Sequence, residues 1–273
     1  MIKRLKNSEI DRTKWDRVVM EWTGQPYGLS WWLDVVSPGW EALVKGDYDA
    51  VMPLPVKKRY GLRYLVQPRF VQQLGVFGQE DTAEFLDRIP YLSYDFNLNY
   101  RNNYQSASFR THTNYLIYNV SKPDSNTIRN IRKADGNLEY RHISNREFHE
   151  LWASENRWLG EESSLLLENL ITECEKHCMD MLIGAYNGSE LVSAIFAILT
   201  NERIILLAPV SSHIGKQTSA MFGIISHIIK NNQDKIIDCE GSMLPGVARF
   251  YRGFGAVEQN YRRIWRFSWR KKK

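Results

Sequence analysis

Three strand-like runs of apolar residues follow one another in the second half of the chain, at 179–186, 191–199 and 203–210. Asn187-Gly188 separates the first two runs, and this dipeptide is typical of a two-residue hairpin turn. Asn201-Glu202 separates the next two and gives a weaker turn signal. The pattern therefore predicts three consecutive antiparallel strands.

Apolar residues at helical spacing surround these strands. The predicted helices are 145–157, which begins with an Asn cap, 161–178, 218–230 and 245–252. Further strands are predicted at 137–144, 235–239 and 256–269, so the order is β-α-α-β-β-β-α-β-α-β. Because a helix lies between the 203–210 and 235–239 strands, these two are predicted to run parallel. Such a pair within an antiparallel sheet can splay apart and leave a slot.

The first half of the chain holds a fainter copy of this order. Helices are predicted at 11–22, 29–36 and 80–88, and strands at 40–44, 50–56, 62–66, 91–98, 106–110 and 114–120. The repeat predicts an α/β fold of two tandem domains, each with a central, mostly antiparallel sheet flanked by helices. The join is predicted in the polar stretch 121–125. The predicted domains are 1–122 and 123–273, with the alternative that the last strand packs back on the first domain.

Composition restricts the class of protein. The chain has 273 residues, of which 43% are hydrophobic and 25% charged, as in soluble globular proteins. The apolar runs are too short to cross a bilayer and the basic N-terminus lacks the apolar core of a signal peptide, so a cytoplasmic protein without membrane insertion is expected. Three cysteines make no disulfide framework. Cys174 and Cys178 have no second ligand pair, so no metal site is expected.

Positive charge is concentrated at the C-terminus. The formal net charge is +5, and the chain from residue 259 onward holds seven basic residues and no acidic one: Arg262, Arg263, Arg266, Arg270, Lys271, Lys272 and Lys273. The rest of the chain is near neutrality, which excludes a nucleic-acid-binding domain by composition. The tail is either a solvated chain end or a contact for a polyanion such as nucleic acid, phospholipid or nucleotide phosphate.

Candidate chemistry follows the 203–210 strand. The polar segment 211–220 places Gly215, hydroxyl residues and Lys216 at the start of a helix, where backbone N–H groups and the helix dipole favour a phosphate. Farther along, Tyr251 lies four residues before Gly255 in the sequence ARFYRGFG. This segment resembles the A-x-x-(L/F)-Y-x-x-x-G segment of the Gcn5-related N-acetyltransferase (GNAT) superfamily, in which the tyrosine often protonates the leaving thiolate of coenzyme A. A phenol is protonated at neutral pH and suits that role.

A second resemblance extends over most of the chain. Its motifs are MPLPVKK at 52–58, QPRFVQQLGVF at 67–77, NTIRNIRKA at 126–134 and DCEGS at 238–242. In this order they are similar to the Fem-type aminoacyltransferases and their FemAB-like relatives, which have two tandem acetyltransferase-like domains. Members with known roles add amino acids from aminoacyl-tRNA to a peptidoglycan precursor, and others are thought to use acyl-CoA.

The two resemblances imply a set of site residues. Those expected to bind the acyl donor, through backbone N–H groups and a pyrophosphate loop, are Ala208, Val210, Gly215, Lys216, Gln217, Thr218 and Ser219. Those expected to move protons are Tyr251 as general acid and Asp238, Glu240 or His213 as general base. Those expected to border the acceptor are Arg157, Trp158 and Glu162.

Three functions stay open at this point. The first is an N-acyltransferase that moves an acyl group from acyl-CoA, such as acetyl-CoA, to an amine acceptor by direct attack through a tetrahedral intermediate. The second keeps this reaction class but takes aminoacyl-tRNA as the donor, bound through the basic tail, and a cell-wall precursor as the acceptor. The third is a catalytically degenerate domain that binds a ligand, because the sequence has no good copy of the superfamily's Q/R-x-x-G-x-G/A phosphate loop.

Overall fold

The computed structural model describes residues 1–104 and 108–267. The chain forms two compact units, residues 1–113 with the chain from residue 260, and residues 114–259. The boundary of the two acetyltransferase-like domains between residues 122 and 123 stays a prediction. The predictions for residues 106–107 and for the basic tail at 270–273 fall outside the described residues.

The described residues of the first unit form two sets of strands and three helices. Its helices are α1 (Arg12–Thr23), α2 (Ser30–Val36) and α3 (Thr82–Asp87). Its strands are β1 (Ile2–Lys6), β2 (Glu41–Lys45), β3 (Ala50–Leu54), β4 (Val56–Arg59), β5 (Leu62–Val66) and β6 (Tyr94–Asn97). The first three strands form an antiparallel sheet, β4 pairs antiparallel with β5, and β5 pairs parallel with β6.

A buried carboxylate ties these two sets of strands together. Glu41 on β2 is 6% exposed and accepts hydrogen bonds from Arg4 on β1, Arg63 on β5 and the hydroxyl of Tyr91. Burial raises the pKa of Glu41, but the three donors outweigh burial and lower it to about 2. Glu41 is therefore an ionised structural link.

The second unit contains most of the helices. After β7 (Phe109–Ile117), which leads into it, the helices are α4 (Ser125–Asp135), α5 (Asn145–Glu155), α6 (Glu161–Lys176), α7 (His213–Gln217), α8 (Ala220–Asn231) and α9 (Pro245–Gly253). The strands are β8 (Glu139–His142), β9 (Asp180–Asn187), β10 (Glu190–Leu199), β11 (Arg203–Ser211) and β12 (Ile236–Asp238). The last strand, β13 (Val257–Arg266), leads back to the first unit, where it pairs antiparallel with β6. The predicted mixed α/β fold with helices flanking a mostly antiparallel sheet is confirmed.

Local signals explain several element boundaries. The turn between β9 and β10 is Gly188-Ser189, one residue later than predicted, because Asn187 still pairs with Glu190 at the end of β9. Gly188 adopts a left-handed φ of 61° that favours glycine. Helix α5 begins at residue 145, as predicted, but its cap is Ser144 and not Asn145. The Ser144 hydroxyl accepts from the N–H of Glu147, whose carboxylate accepts from the N–H of Ser144, which is a capping box. A short helix that was not predicted, α7, begins at His213 within the polar segment 211–220.

The sheet of the second unit has the predicted topology. Its strands lie in the order β7-β12-β11-β10-β9-β8, and all neighbouring pairs are antiparallel except β11 and β12. Helix α8 lies between β11 and β12 in the chain and is long enough to span the crossover that two parallel strands need. Its apolar face packs on the sheet through Ile224, Ile225 and Ile228, each at most 1% exposed. This packing holds α8 against the sheet that contains β11 and β12, the strands of the candidate site.

Candidate active site

The parallel strands β11 and β12 are paired over a short distance. The register joins Arg203–Ile236, Ile204–Ile237 and Ile205–Asp238. β12 ends there, whereas β11 continues to Ser211. Within residues 1–104 and 108–267, no strand pairs with β11 on this side beyond Ile205. The edge of β11 over residues 206–211, here called the open edge, borders the expected slot.

The backbone of the open edge is oriented by a β-bulge. Between Ile205 and Ala208 the register against β10 shifts by one residue, so two residues of β11 oppose one of β10. The N–H of Ser212 then donates to the carbonyl of Val192 at 2.9 Å. Because N–H groups alternate between the two sides of a strand, those of Ala208 and Val210 also face β10.

This orientation corrects the expected role of two residues. The N–H groups of Ala208 and Val210 bond within the sheet instead of lining the slot, since the bulge reverses their direction. Pro209 lies between them, is exposed, and presents a carbonyl but no N–H to the open edge. Proline is tolerated in strands where its missing donor faces no partner strand, so Pro209 agrees with an unpaired edge.

The closed end of the slot carries a buried ion pair. Asp238 is fully buried, and its Oδ2 accepts from Nη1 of Arg203 at 3.1 Å, while its Oδ1 accepts from the N–H of Glu240 at 3.0 Å. Both carboxylate oxygens of Asp238 are therefore engaged in holding β12 to β11 and to the residues that follow. This arrangement favours a structural role over the predicted role of general base.

The chain leaves β12 through two residues with left-handed backbone. Glu240 has φ 56° and Gly241 has φ 74°. A left-handed conformation is uncommon for a residue with a side chain and is often found at functional sites. These residues follow Asp238, the last residue of β12 that pairs with β11, and Glu240 remains a partly exposed candidate for the general base.

Tyr251 lies in the hydrophobic core next to this strand end. It is 7% exposed and shares a buried cluster with Leu206 of the open edge and with Cys239. The ring of Tyr115 lies 5.8 Å away and that of Phe250 5.5 Å away, centroid to centroid. Burial raises the pKa of the Tyr251 phenol above its usual value, and the nearby Cys239, Glu240 and Asp238 raise it further. The phenol is therefore protonated at neutral pH.

Packing explains Gly215, the glycine of the predicted phosphate loop. A Cβ at this position would lie 2.1 Å from the carbonyl oxygen of Val192. The N–H of Gly215 donates to the hydroxyl of Ser212, which caps α7. Glycine is therefore required for the close approach of α7 to β10, whatever the ligand.

The other residues of the predicted loop have partners within the chain. The Thr218 hydroxyl donates to the carbonyl of Ile214, and the Ser219 hydroxyl donates to Asn130. The side chains of Gln217 and His213 are 2.9 Å apart, between their Nε2 atoms. Lys216 lies 3.9 Å from Glu155, at the end of α5. Their role in donor binding stays a prediction.

The acceptor candidates lie on the link between α5 and α6. Arg157 and Trp158 belong to the 3₁₀ turn Arg157–Leu159, and Glu162 is in the first turn of α6. Trp158 is 79% exposed. The contact of Glu155 with Lys216 places the start of this link beside α7. Among the described residues, no hydrogen bond joins the three acceptor candidates to Tyr251.

Two features of the site escaped the sequence reasoning. The first is the pairing of Arg203 with Asp238, which are 35 residues apart in the chain. The second is the orientation of Pro209, which depends on the bulge in β11. A proline inside a strand-like run was the one local signal for an unpaired edge.

Neither a metal centre nor a membrane span emerges from the part of the chain that the structure describes. No group of three or more His, Cys, Asp or Glu side chains there could hold a metal ion. Cys174 is buried and Cys178 exposed. None of the described helices is long and apolar enough to cross a membrane.

Comparison with known proteins bears on the fold. No protein-family model matches the chain, and no curated protein sequence matches it. The chain is similar to the crystal structure of FemX, with a TM-score of 0.67, 11% identity, and coverage of 96% of this chain and 97% of that one. It is similar to L-PGS from Bacillus licheniformis, with a TM-score of 0.58, 13% identity, and coverage of 96% and 93%.

A third similar structure is a tandem GNAT protein from the clavulanic acid biosynthesis pathway. Its TM-score is 0.55 at 10% identity, with coverage of 97% of this chain and 98% of that one. All three likenesses extend over nearly the whole of both chains, at identities that establish the fold alone. The chain therefore shares the fold of FemX, L-PGS and the tandem GNAT protein, as the resemblance of its sequence motifs predicts.

Proposed function

We propose that the protein is an N-acyltransferase that moves an acyl group from acyl-CoA to an amine acceptor. The observation that carries the proposal is the open edge of β11, whose residue Leu206 belongs to the same buried cluster as Tyr251. An activated acyl donor needs an extended site where its carbonyl is held, and a proton source for its leaving group. The open edge and the Tyr251 phenol supply these two elements within one unit of the chain.

The residues have different roles in this mechanism. The donor lies along residues 206–211, and the carbonyl of Pro209 accepts an N–H from the pantetheine arm. The acceptor amine attacks the thioester carbonyl, a tetrahedral oxyanion forms, and its collapse expels the thiolate, which takes the proton of Tyr251. The partly exposed carboxylate of Glu240 takes the proton that the amine loses. Arg157, Trp158 and Glu162 border the acceptor.

Donor binding is tested by thermal unfolding with acetyl-CoA and with free CoA. A ligand present at about 100 times its Kd stabilises the folded state by about 2.7 kcal/mol. For a unit of this size, the melting temperature is then expected to rise by about 5–10 °C. An unchanged melting curve with millimolar acyl-CoA and CoA would remove the acyl-CoA proposal.

The role of Tyr251 is tested by Tyr251→Phe, which removes one buried hydroxyl and keeps the ring. We expect the rate of CoA release from acetyl-CoA, in the presence of a panel of primary amines, to fall by about 10²-fold or more. Tyr60→Phe is the matched control, because Tyr60 is 89% exposed and belongs to the first unit. Equal turnover of the Tyr251→Phe variant and the wild type would show that the phenol is not the acid.

A second donor, an aminoacyl ester carried by tRNA, is favoured by one specific observation. The Thr218 and Ser219 hydroxyls, expected to hold a pyrophosphate, already donate hydrogen bonds within the chain. An ester donor needs no pyrophosphate site, and FemX and L-PGS share the fold. This alternative predicts retention of tRNA that weakens steeply with salt and that is lost when residues 270–273 are deleted. Failure to retain tRNA at low salt would exclude it.

A further inference from the structure

The loop 99–103 forms one wall of a cavity in the first unit. The cavity has a volume of about 390 Å³, within the range of small-molecule sites. Its lining includes Arg101, Asn103, Thr111, Asn260 and Arg262. Residues of β7 and β13 supply the rest of the lining. The cavity belongs to the first unit and the open edge to the second.

Buried amides hold the loop in place. The side chain of Asn102 donates to the carbonyl of Val76 and accepts from the N–H of Val76, and Asn99 donates to the same carbonyl. The N–H of Tyr100 donates to the Gln73 side chain, which is 1% exposed. The motif QPRFVQQLGVF therefore supplies the support for this loop. A ligand would meet a wall that is ordered before it binds, which reduces the entropy cost of binding.

The charge of the lining is one-sided. Two arginines, Arg101 and Arg262, are in the lining, and none of the described residues that line the cavity is acidic. The guanidinium of Arg101 lies 4.8 Å above the ring of Trp22, a cation–π arrangement that orients the charge. The guanidinium of Arg262 donates to the carbonyl of Tyr104, which uses part of its set of five donors.

Neutral hydrogen-bonding groups complete the lining. Asn103, Thr111 and Asn260 are exposed along the cavity. The hydroxyl of Thr113 donates to Oδ1 of Asn260 at 3.0 Å, and this bond sets the orientation of the Asn260 amide. The amide and hydroxyl groups suit hydroxyls or amides of a ligand, and the arginines suit an anionic oxygen group.

We infer that this cavity binds a small polar ligand that carries an anionic oxygen group, either a carboxylate or a phosphate, next to hydroxyl or amide groups. The inference goes beyond the proposed function, because it adds a second ligand site in the first unit. Arg101 is the residue that recognises the anion, and Asn260 is a neutral neighbour that contacts the polar part of the ligand.

The test is isothermal titration of the full chain at low salt with two pairs of probes. One pair is glucose 6-phosphate and glucose, and the other is alanyl-alanine and alanyl-alaninamide, so each pair differs in the anionic group alone. We expect one anionic probe to bind at least about 10-fold more tightly than its counterpart, as expected for a charge-assisted contact. The preferred pair identifies the anion as phosphate or carboxylate.

Three variants locate the site. Arg101→Gln removes the cation, and Asn260→Asp places a negative charge in the cavity, like that of the probe, without a change of shape. Each variant is expected to lower the affinity for the anionic probe at least about 5-fold. Arg129→Gln, an exposed arginine on α4, is the control and is expected to bind as the wild type does. Unaltered melting temperatures show that the variants fold.

Two results would overturn the inference. One is that both anionic probes bind no more tightly than their neutral counterparts, and the other is that Arg101→Gln and Asn260→Asp bind the preferred probe as the wild type does. The melting shift with acetyl-CoA is measured on the same variants and is expected to be retained. Failure of this inference and failure of the proposed acyltransferase function therefore have separate readouts.

Discussion

Replacement of Asp238 by Asn distinguishes a structural carboxylate from a catalytic one. Asp238 is fully buried and the side chain of its partner Arg203 is 7% exposed, with 3.1 Å between Oδ2 and Nη1. Asp238→Asn keeps the shape of the side chain but leaves the buried guanidinium without this counter-charge. Breaking such a pair costs about 3–5 kcal/mol. For a unit of this size, the melting temperature is expected to fall by about 10 °C.

The matched variant is the double replacement Arg203→Met with Asp238→Leu, which removes both charges and keeps side chains of similar volume. Replacement of a whole buried pair by apolar residues is often neutral or stabilising, so the double variant is expected to recover most of the lost stability. The measurement is urea unfolding followed by the far-ultraviolet circular dichroism of each variant. If Asp238→Asn unfolds within about 1 kcal/mol of the wild type, the structural role assigned to the pair is wrong. Acyl transfer that survives in the double variant would also exclude Asp238 as the general base.

Two further predictions concern stability. Gly215→Ala is expected to destabilise the protein by about 2 kcal/mol, because its Cβ would overlap the carbonyl of Val192. Gly246→Ala, in a helix with open space around it, should be neutral or stabilising by up to about 1 kcal/mol. Equal urea midpoints for the two variants would refute this reasoning. The lowered pKa of Glu41, about 2, implies that its contribution of about 3 kcal/mol is complete above the unfolded pKa near 4.5 and is lost as the pH falls toward 2. A Glu41→Gln variant should lack this acid-dependent loss in urea titrations between pH 5 and pH 2, and a pH dependence equal to that of the wild type would contradict the assignment.

The sequence was sufficient for features that depend on neighbouring residues. The Asn187-Gly188 dipeptide predicts a turn between β9 and β10, because a left-handed backbone is a local requirement that Gly188 meets. The turn itself lies one residue later, at Gly188-Ser189. The parallel pairing of β11 with β12 was also predictable from the sequence, because a helix between two strands is the usual crossover connection of a parallel pair. The Fem-like and GNAT-like motifs predicted the fold.

Features that depend on distant residues could not be predicted in the same way. Gly215 looked like a phosphate-loop glycine, but the atom that excludes a side chain there belongs to Val192 on another strand. Ala208 and Val210 were expected to offer N–H groups to a donor, and a one-residue bulge turns those groups to β10. Periodicity assigns residues to strands but does not fix their register, so the direction of each N–H could come only from the structure.

The most direct test of the donor site is hydrogen–deuterium exchange of the full chain with and without acetyl-CoA or an aminoacyl-tRNA. If the donor lies along the open edge, slower exchange is predicted in peptides that contain residues 206–212 and 239–244, and unchanged exchange in peptides of the first unit. Unchanged exchange in both segments at saturating concentrations of each donor would contradict the account.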